Sequence, residues 1–231
     1  DTIRSLKGSQ SPFATITAYD FTSAKLVDQA GIPLILVGDS AAMVVYGYDT
    51  TIPVSMDEMI FLVASVTRGA NTALVVADMP FMSYQVSVEN AIFNAGRFIK
   101  EANAQAIKLE GGVKSTNCIT GIVNAGIPVM AHIGITPQSF HQMSGYKIQG
   151  KTKTTAEELI KDALAVEAAG AFSVVLEGIP SELAKLVTES VSIPTIGIGA
   201  GPHCDGQIQV FHDILGMFET FVPKHAKQYA K

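Results

Sequence analysis

The feature that most constrains this chain is a recurrence: short, apolar, β-branched runs return along it, each followed by a longer stretch with helical spacing. The runs are Ala14–Tyr19, Leu34–Val37, Leu74–Ala77, Ala106–Leu109, Val129–Ala131, Ser173–Leu176 and Thr195–Ile198, with a weaker eighth at Gln209–His212. Several are apolar on both alternating faces, the pattern of a parallel strand covered by helices on both sides. Between them, Ser23–Ala30, Met56–Arg68, Val88–Ala102, Thr155–Ala169 and Pro180–Glu189 repeat apolar residues at intervals of three and four, as helices with one buried face do. The turns into strands repeat as well. Ala30-Gly31-Ile32-Pro33, Ala125-Gly126-Ile127-Pro128 and Ala169-Gly170-Ala171 each put glycine where a helix end needs a positive φ. At about 150 residues per domain the length allows one large domain or two small ones. Seven or eight βα units without a Ser/Gly/Pro-rich linker predict a single-domain (β/α)8 TIM barrel over residues 1–231, in preference to an open doubly wound sheet.

Composition removes several function classes. Sixteen Lys and Arg against 21 Asp and Glu give a formal charge of −5, and no basic run is present, so nucleic acid is not an expected partner. No window reaches the roughly 18 consecutive apolar residues of a membrane span, and Asp1–Lys7 lacks the order of a signal peptide. Cys118 and Cys204 lie far apart with no CxxC pair, which suggests neither a disulfide scaffold nor a cysteine zinc site. The expectation is a soluble, cytoplasmic protein.

The polar residues fall at strand ends. In order they are Asp20, Asp39, Asp78, Glu110, His132, Glu177 and the loop Gly197–Gly201. In a parallel barrel these ends converge on one face, where the βα loops build the site. Several carboxylates at one mouth repel one another, and hard oxygen donors without a cysteine or histidine cluster select Mg²⁺ or a similar ion. Any one acid taken alone reads equally well as a helix cap or a strand-end salt bridge, and Asp20, opening Asp20-Phe21-Thr22-Ser23, reads as a cap. Lys108 and Glu110 are two apart, so both point into the barrel. Lys108 is then either an ion-pair partner of Glu110 or a clamp for a substrate carboxylate. His132 matters only through its address at the mouth, since a lone histidine is usually structural. His141, His203, His212 and His225 show no metal-ligand spacing and receive no role. The glycine stretch fits a phosphate seat, a plain turn or a close ligand approach equally well.

Six phrases, in order, resemble the ketopantoate hydroxymethyltransferase family: Val37-Gly38-Asp39-Ser40, Ala77-Asp78-Met79-Pro80-Phe81-Met82, Ile107-Lys108-Leu109-Glu110-Gly111-Gly112, Ala131-His132-Ile133-Gly134, Gly145-Tyr146-Lys147-Ile148-Gln149-Gly150 and Ile196-Gly197-Ile198-Gly199-Ala200-Gly201. The resemblance runs from Thr17 to about Tyr229, with both termini short against the family. It implies a barrel of the phosphoenolpyruvate/pyruvate class that uses Mg²⁺ to make 2-dehydropantoate from 3-methyl-2-oxobutanoate and 5,10-methylenetetrahydrofolate. It further implies Asp39, Asp78 and Glu110 at the metal, Asp39, Ser40, Asp78, Lys108 and His132 at the 2-oxo acid, Glu177 as proton acceptor, and a homo-oligomer. Two other readings compete. One is a Mg²⁺-dependent lyase or mutase of the same barrel class acting on another 2-oxo acid; the other is a catalytically silent binding barrel.

Overall fold

The computed structural model describes residues 2–139, 141, 147–218 and 222–230; Gly145 and Tyr146, part of one resemblance phrase, lie outside them. Eight strands close into a barrel in sequence order, every neighbouring pair parallel. They are β1 (Phe13–Thr17), β2 (Leu34–Val37), β3 (Leu74–Asp78), β4 (Ala106–Glu110), β5 (Val129–Gly134), β6 (Ser173–Glu177), β7 (Thr195–Ile198) and β8 (Gly206–Gln209). The surrounding layer comprises α1 (Phe21–Gln29), the single turn α2 (Ala41–Val44), α3 (Met56–Gly69), α4 (Val88–Ala102), α5 (Thr116–Asn124), α6 (Lys153–Ala168), α7 (Ser181–Ser190) and the single turn α8 (Phe211–Ile214). Gly31, Gly126 and Gly170 all hold positive φ, as the repeated turn phrase requires.

The alternation of each strand divides the apolar residues between two cores. Leu34, Leu36, Val76, Ala106, Met130, Val175, Ile196 and Ile208 fill the barrel interior. Ile35, Val37, Val75, Ala77, Ile107, Leu109, Ala131, Val174 and Leu176 face the helical layer. A packed interior floor has a direct consequence for the mouth. The next inward positions after Val76, Ala106, Met130 and Val175 are Asp78, Lys108, His132 and Glu177, with Glu110 one step beyond Lys108.

Helix starts follow the local chemistry. Asp20 accepts from the Thr22 and Ser23 amides and closes a capping box, so the cap reading holds for it. Ser55 and Glu58 form a second box at the head of α3. One expectation is corrected. The eighth strand is Gly206–Gln209, three residues upstream of Gln209–His212, because its inner face shows only Ile208 while Val210 and Phe211 pack outward against the helical core. The apolar pair drew the reading downstream, and His212 stands in α8. Helix α5 was not anticipated: Thr116-Asn117-Cys118-Ile119-Thr120-Gly121 is poor helix material, yet Ile119 and Ile122 bury it against the barrel. Among the described residues no helix is long and apolar enough to cross a membrane, and both cysteines are free thiols.

Candidate active site

Asp39, Asp78, Lys108, Glu110, His132 and Glu177 stand together at the C-terminal mouth, on or just past β2 to β6. Strand register decides who meets whom. Asp78 lies beside Lys108 on adjacent strands, and Lys108 Nζ sits 2.8 Å from Asp78 Oδ1. Glu110 lies beside His132, and its Oε1 is 3.5 Å from His132 Nδ1. Of the two readings of Lys108, the ion pair with Glu110 gives way to one with Asp78: residues two apart on one strand share a face, but the lateral neighbour is closer. His132 also brings Nδ1 to 3.3 Å from Lys108 Nζ and Nε2 to 3.2 Å from Glu177 Oε2, joining the two halves of the mouth.

Burial makes these charges consequential. Asp39, Asp78, Lys108, Glu110 and His132 are all buried, whereas the Glu177 side chain keeps 22% of its surface exposed. Burial and the adjacent Asp78 and Glu110 charges push the Asp39 carboxyl well above the usual range, against the pull of Lys108 and Gln138. Burial likewise raises Asp78, although Lys108 opposes it. Burial works against a charged Lys108, but Asp78, Glu110 and Asp39 outweigh it and hold the ammonium above its ordinary pKa. For His132, burial and Lys108 disfavour the cation, yet Glu110 and Glu177 prevail and push it up to about 9.

Each buried acid has one oxygen committed to a neutral donor. The Asp39 amide donates to Asp78 Oδ2 at 3.0 Å, the Gln138 amide to Glu110 Oε2 at 3.1 Å, and Gln138 Nε2 to Asp39 Oδ2 at 2.9 Å. The other oxygens of Asp78 and Glu110 meet only cationic groups: Asp78 Oδ1 faces Lys108 Nζ, and Glu110 Oε1 has no polar partner nearer than His132 Nδ1 at 3.5 Å. Glu110 Oε1 has capacity to spare, and a set of hard carboxylate oxygens fits Mg²⁺ in a site completed by water or substrate oxygens. Among the described residues no group of three Asp, Glu, His or Cys side chains forms a ready cage.

Ser40 immediately precedes α2 and shares a 2.8 Å hydrogen bond with the buried Tyr19 hydroxyl. The Gly197–Gly201 stretch is tightly packed: a Cβ on Gly201 would stand 2.4 Å from Ser181 Oγ, so close helix packing accounts for that glycine. Sequence reading missed Gln138 and Tyr84. Neither is charged, both lie in loops, and only the proximity of Tyr84 to Pro80-Phe81-Met82 could have drawn attention to it.

The fold and this mouth define a class of (β/α)8 barrel. A solved 2,3-dimethylmalate lyase shares the fold at TM-score 0.68 and 20% identity, over 94% of this chain and 81% of that one. A phosphoenolpyruvate phosphomutase from Streptomyces platensis subsp. rosaceus shares it at TM-score 0.69 and 16% identity, over 93% and 80%. Sequence identifies the family within that class. The sequence model described as ketopantoate hydroxymethyltransferase matches residues 1–231, and the chain belongs to that family. It is 57% identical to the 3-methyl-2-oxobutanoate hydroxymethyltransferase of Dehalococcoides mccartyi strain CBDB1, over 99% of this chain and 82% of that protein. It is 55% identical to the enzyme of the same name from Clostridium beijerinckii, over 99% and 83%.

Proposed function

We propose that this chain transfers a hydroxymethyl group from 5,10-methylenetetrahydrofolate to 3-methyl-2-oxobutanoate, giving 2-dehydropantoate. The observation that carries the reading is the contrast at the mouth: a buried cluster of Asp39, Asp78, Glu110 and Lys108 faces, across His132, a single partly open carboxylate, Glu177. Family membership and the names of the relatives support the same reaction.

The residues divide the work by their surroundings. Lys108 supplies the positive charge that receives the substrate carboxylate, and Ser40, next to Asp39 and steadied by Tyr19, offers a hydroxyl. Asp39, Asp78 and Glu110 would hold Mg²⁺, which when bound supplies electron withdrawal from the 2-oxo oxygen and offsets the crowded carboxylates. Glu177 accepts the C3 proton, and its exposed side lets substrate reach it. The His132 ring beside Glu177 Oε2 steadies that oxygen as it gains and releases the proton. The electron pair left on C3 then bonds the methylene carbon; that carbon gives up both of its bonds to the folate nitrogens, one replaced by C3 and the other by a water oxygen, and tetrahydrofolate leaves. The same reading includes a cytoplasmic homo-oligomer with small-molecule partners; no membrane-crossing helix among the described residues is in keeping with it.

The test is hydrogen exchange. Enzyme, Mg²⁺ and 3-methyl-2-oxobutanoate in D₂O, without folate, exchange the C3 hydrogen by proton NMR. Glu177→Gln keeps the shape, retains oxo acid binding and slows exchange by at least ~10²-fold. No exchange in the parent protein would sink the enolising mechanism, and undiminished exchange in the variant would move the base elsewhere at the mouth.

A further inference from the structure

We infer that Gln138 and Tyr84 form a buried positioning clamp that fixes which carboxylate oxygens are turned to the mouth and which are held back. The inference rests on the reading of Asp39, Asp78 and Glu110 as ligands of a divalent cation. Gln138 sits in a single 3-10 turn, Pro137–Ser139, after β5, is 4% exposed, and spans the site from there. Its backbone N–H takes Glu110 Oε2, and its Nε2 takes both Asp39 Oδ2 and the Met79 carbonyl, each at 2.9 Å. One residue thus engages the acids that end β4 and β2, on opposite sides of Asp78.

The direction of the amide is determined by its far end. Gln138 Oε1 accepts from the Tyr84 hydroxyl at 2.8 Å and from Gln85 Nε2 at 3.2 Å. Tyr84 in turn accepts the Glu110 amide at 3.2 Å, which leaves its own proton for Gln138. A flipped amide would set an NH₂ against the Gln85 donor and an oxygen against a carboxylate and a carbonyl, losing the bonds to Gln85, Asp39 and Met79 at once. Tyr84 is itself locked. Asn94 Nδ2 binds the Ser83 carbonyl at 2.6 Å, and the loop passes through a left-handed Met82, φ 66, a conformation a non-glycine residue holds only when its surroundings compel it. The result is a chain of neutral donors that consumes Asp39 Oδ2 and Glu110 Oε2 and leaves Glu110 Oε1 with only His132 Nδ1 at 3.5 Å. Outer partners of this kind typically change metal affinity by about 10- to 100-fold when removed.

The experiment measures Mn²⁺ binding to the full chain by electron paramagnetic resonance, with no substrate present, for the parent, Gln138→Leu, Tyr84→Phe and the double variant. Each single change is expected to weaken Mn²⁺ binding at least ~10-fold, and the double variant to lose less than the product of the two, because both act through one amide. Near-UV circular dichroism and Tm are followed in parallel: a purely structural role would lower Tm while leaving Mn²⁺ affinity of the folded protein unchanged. Tyr84→Phe removes a single oxygen and decides the matter if Gln138→Leu fails to fold. Affinities within twofold of the parent overturn the clamp alone. A parent that binds no Mn²⁺ overturns both the clamp and the cation reading on which it rests.

Discussion

Replacing Lys108 by Met keeps the length and apolar stem of the side chain and deletes its charge. Lys108 is 3% exposed, 2.8 Å from Asp78 Oδ1 and close to His132, with Glu110 and Asp39 adding to its stabilisation. Removing one member of such a pair leaves buried carboxylates uncompensated, and the cost of that is about 3–5 kcal/mol. A domain of ordinary stability has roughly 5–15 kcal/mol in total, so Lys108→Met takes a large share of it while leaving the protein folded in the more stable part of that range. Urea unfolding at pH 7 without divalent ions measures the loss, with an unchanged m-value showing that the unfolding reaction is the same. Acid relieves the penalty. Asp39 and Asp78 already have raised pKa values in the fold, so the native state holds more protons than the unfolded chain above the ordinary carboxylate range, and stability falls as pH rises through the folded values. Without Lys108 those values rise further, and the difference between variant and parent shrinks as the pH is lowered. Adding Asp78→Asn to the variant recovers part of the loss, since the carboxylate nearest the missing ammonium has been neutralised. A loss below about 1 kcal/mol, or one that does not depend on pH, would refute this account of the mouth.

Asp28 Oδ1 accepts from the Thr72 and Ala73 amides and from the Thr72 hydroxyl at 2.7–2.9 Å, tying α1 to the entrance of β3. Asp28→Ala leaves two amides without partners and costs about 1–3 kcal/mol for each that stays buried, by urea unfolding. Despite its burial, those hydrogen bonds hold Asp28 down to about 2, so its contribution is complete above the unfolded carboxylate pKa and is lost as pH falls towards 2. Asp213 behaves oppositely: burial raises it to about 6, so stability declines as pH rises from the unfolded value through 6, and Asp213→Asn flattens that part of a Tm-against-pH profile.

How much was legible depended on whether the signal lay within one strand or between strands. Runs such as Leu34–Val37 and Thr195–Ile198 are apolar on both faces, and they return as β2 and β7 with the same bounds. The acids at their ends could be placed because a parallel barrel sends every strand's C-terminal end to one side. The partner of Lys108 could not be read, because spacing along β4 says nothing of the register with β3 that puts Asp78 beside it. Gln138 and Tyr84 were invisible for a different reason. A neutral side chain in a loop acquires meaning only from the groups it bridges, and those come from β2, the end of β3 and β4. The eighth strand was displaced because Gly206-Gln207-Ile208-Gln209 has a single apolar side chain facing inward.

The seam of the barrel adds a consequence for how the molecule comes into being. β8 closes against β1, and the Thr15 hydroxyl donates to the Gln207 carbonyl 192 positions away. Asp205, just before β8, accepts from Lys7, Gly8 and Thr195 and so fastens the segment before β1 to β7. The acids, lysine and histidine of the mouth all precede residue 178 and lie on the five-strand arc away from this seam. The charged half of the site is thus specified before the strand that closes the barrel, and the burial of Lys108 and its carboxylates is coupled to contacts that are distant in sequence and form slowly.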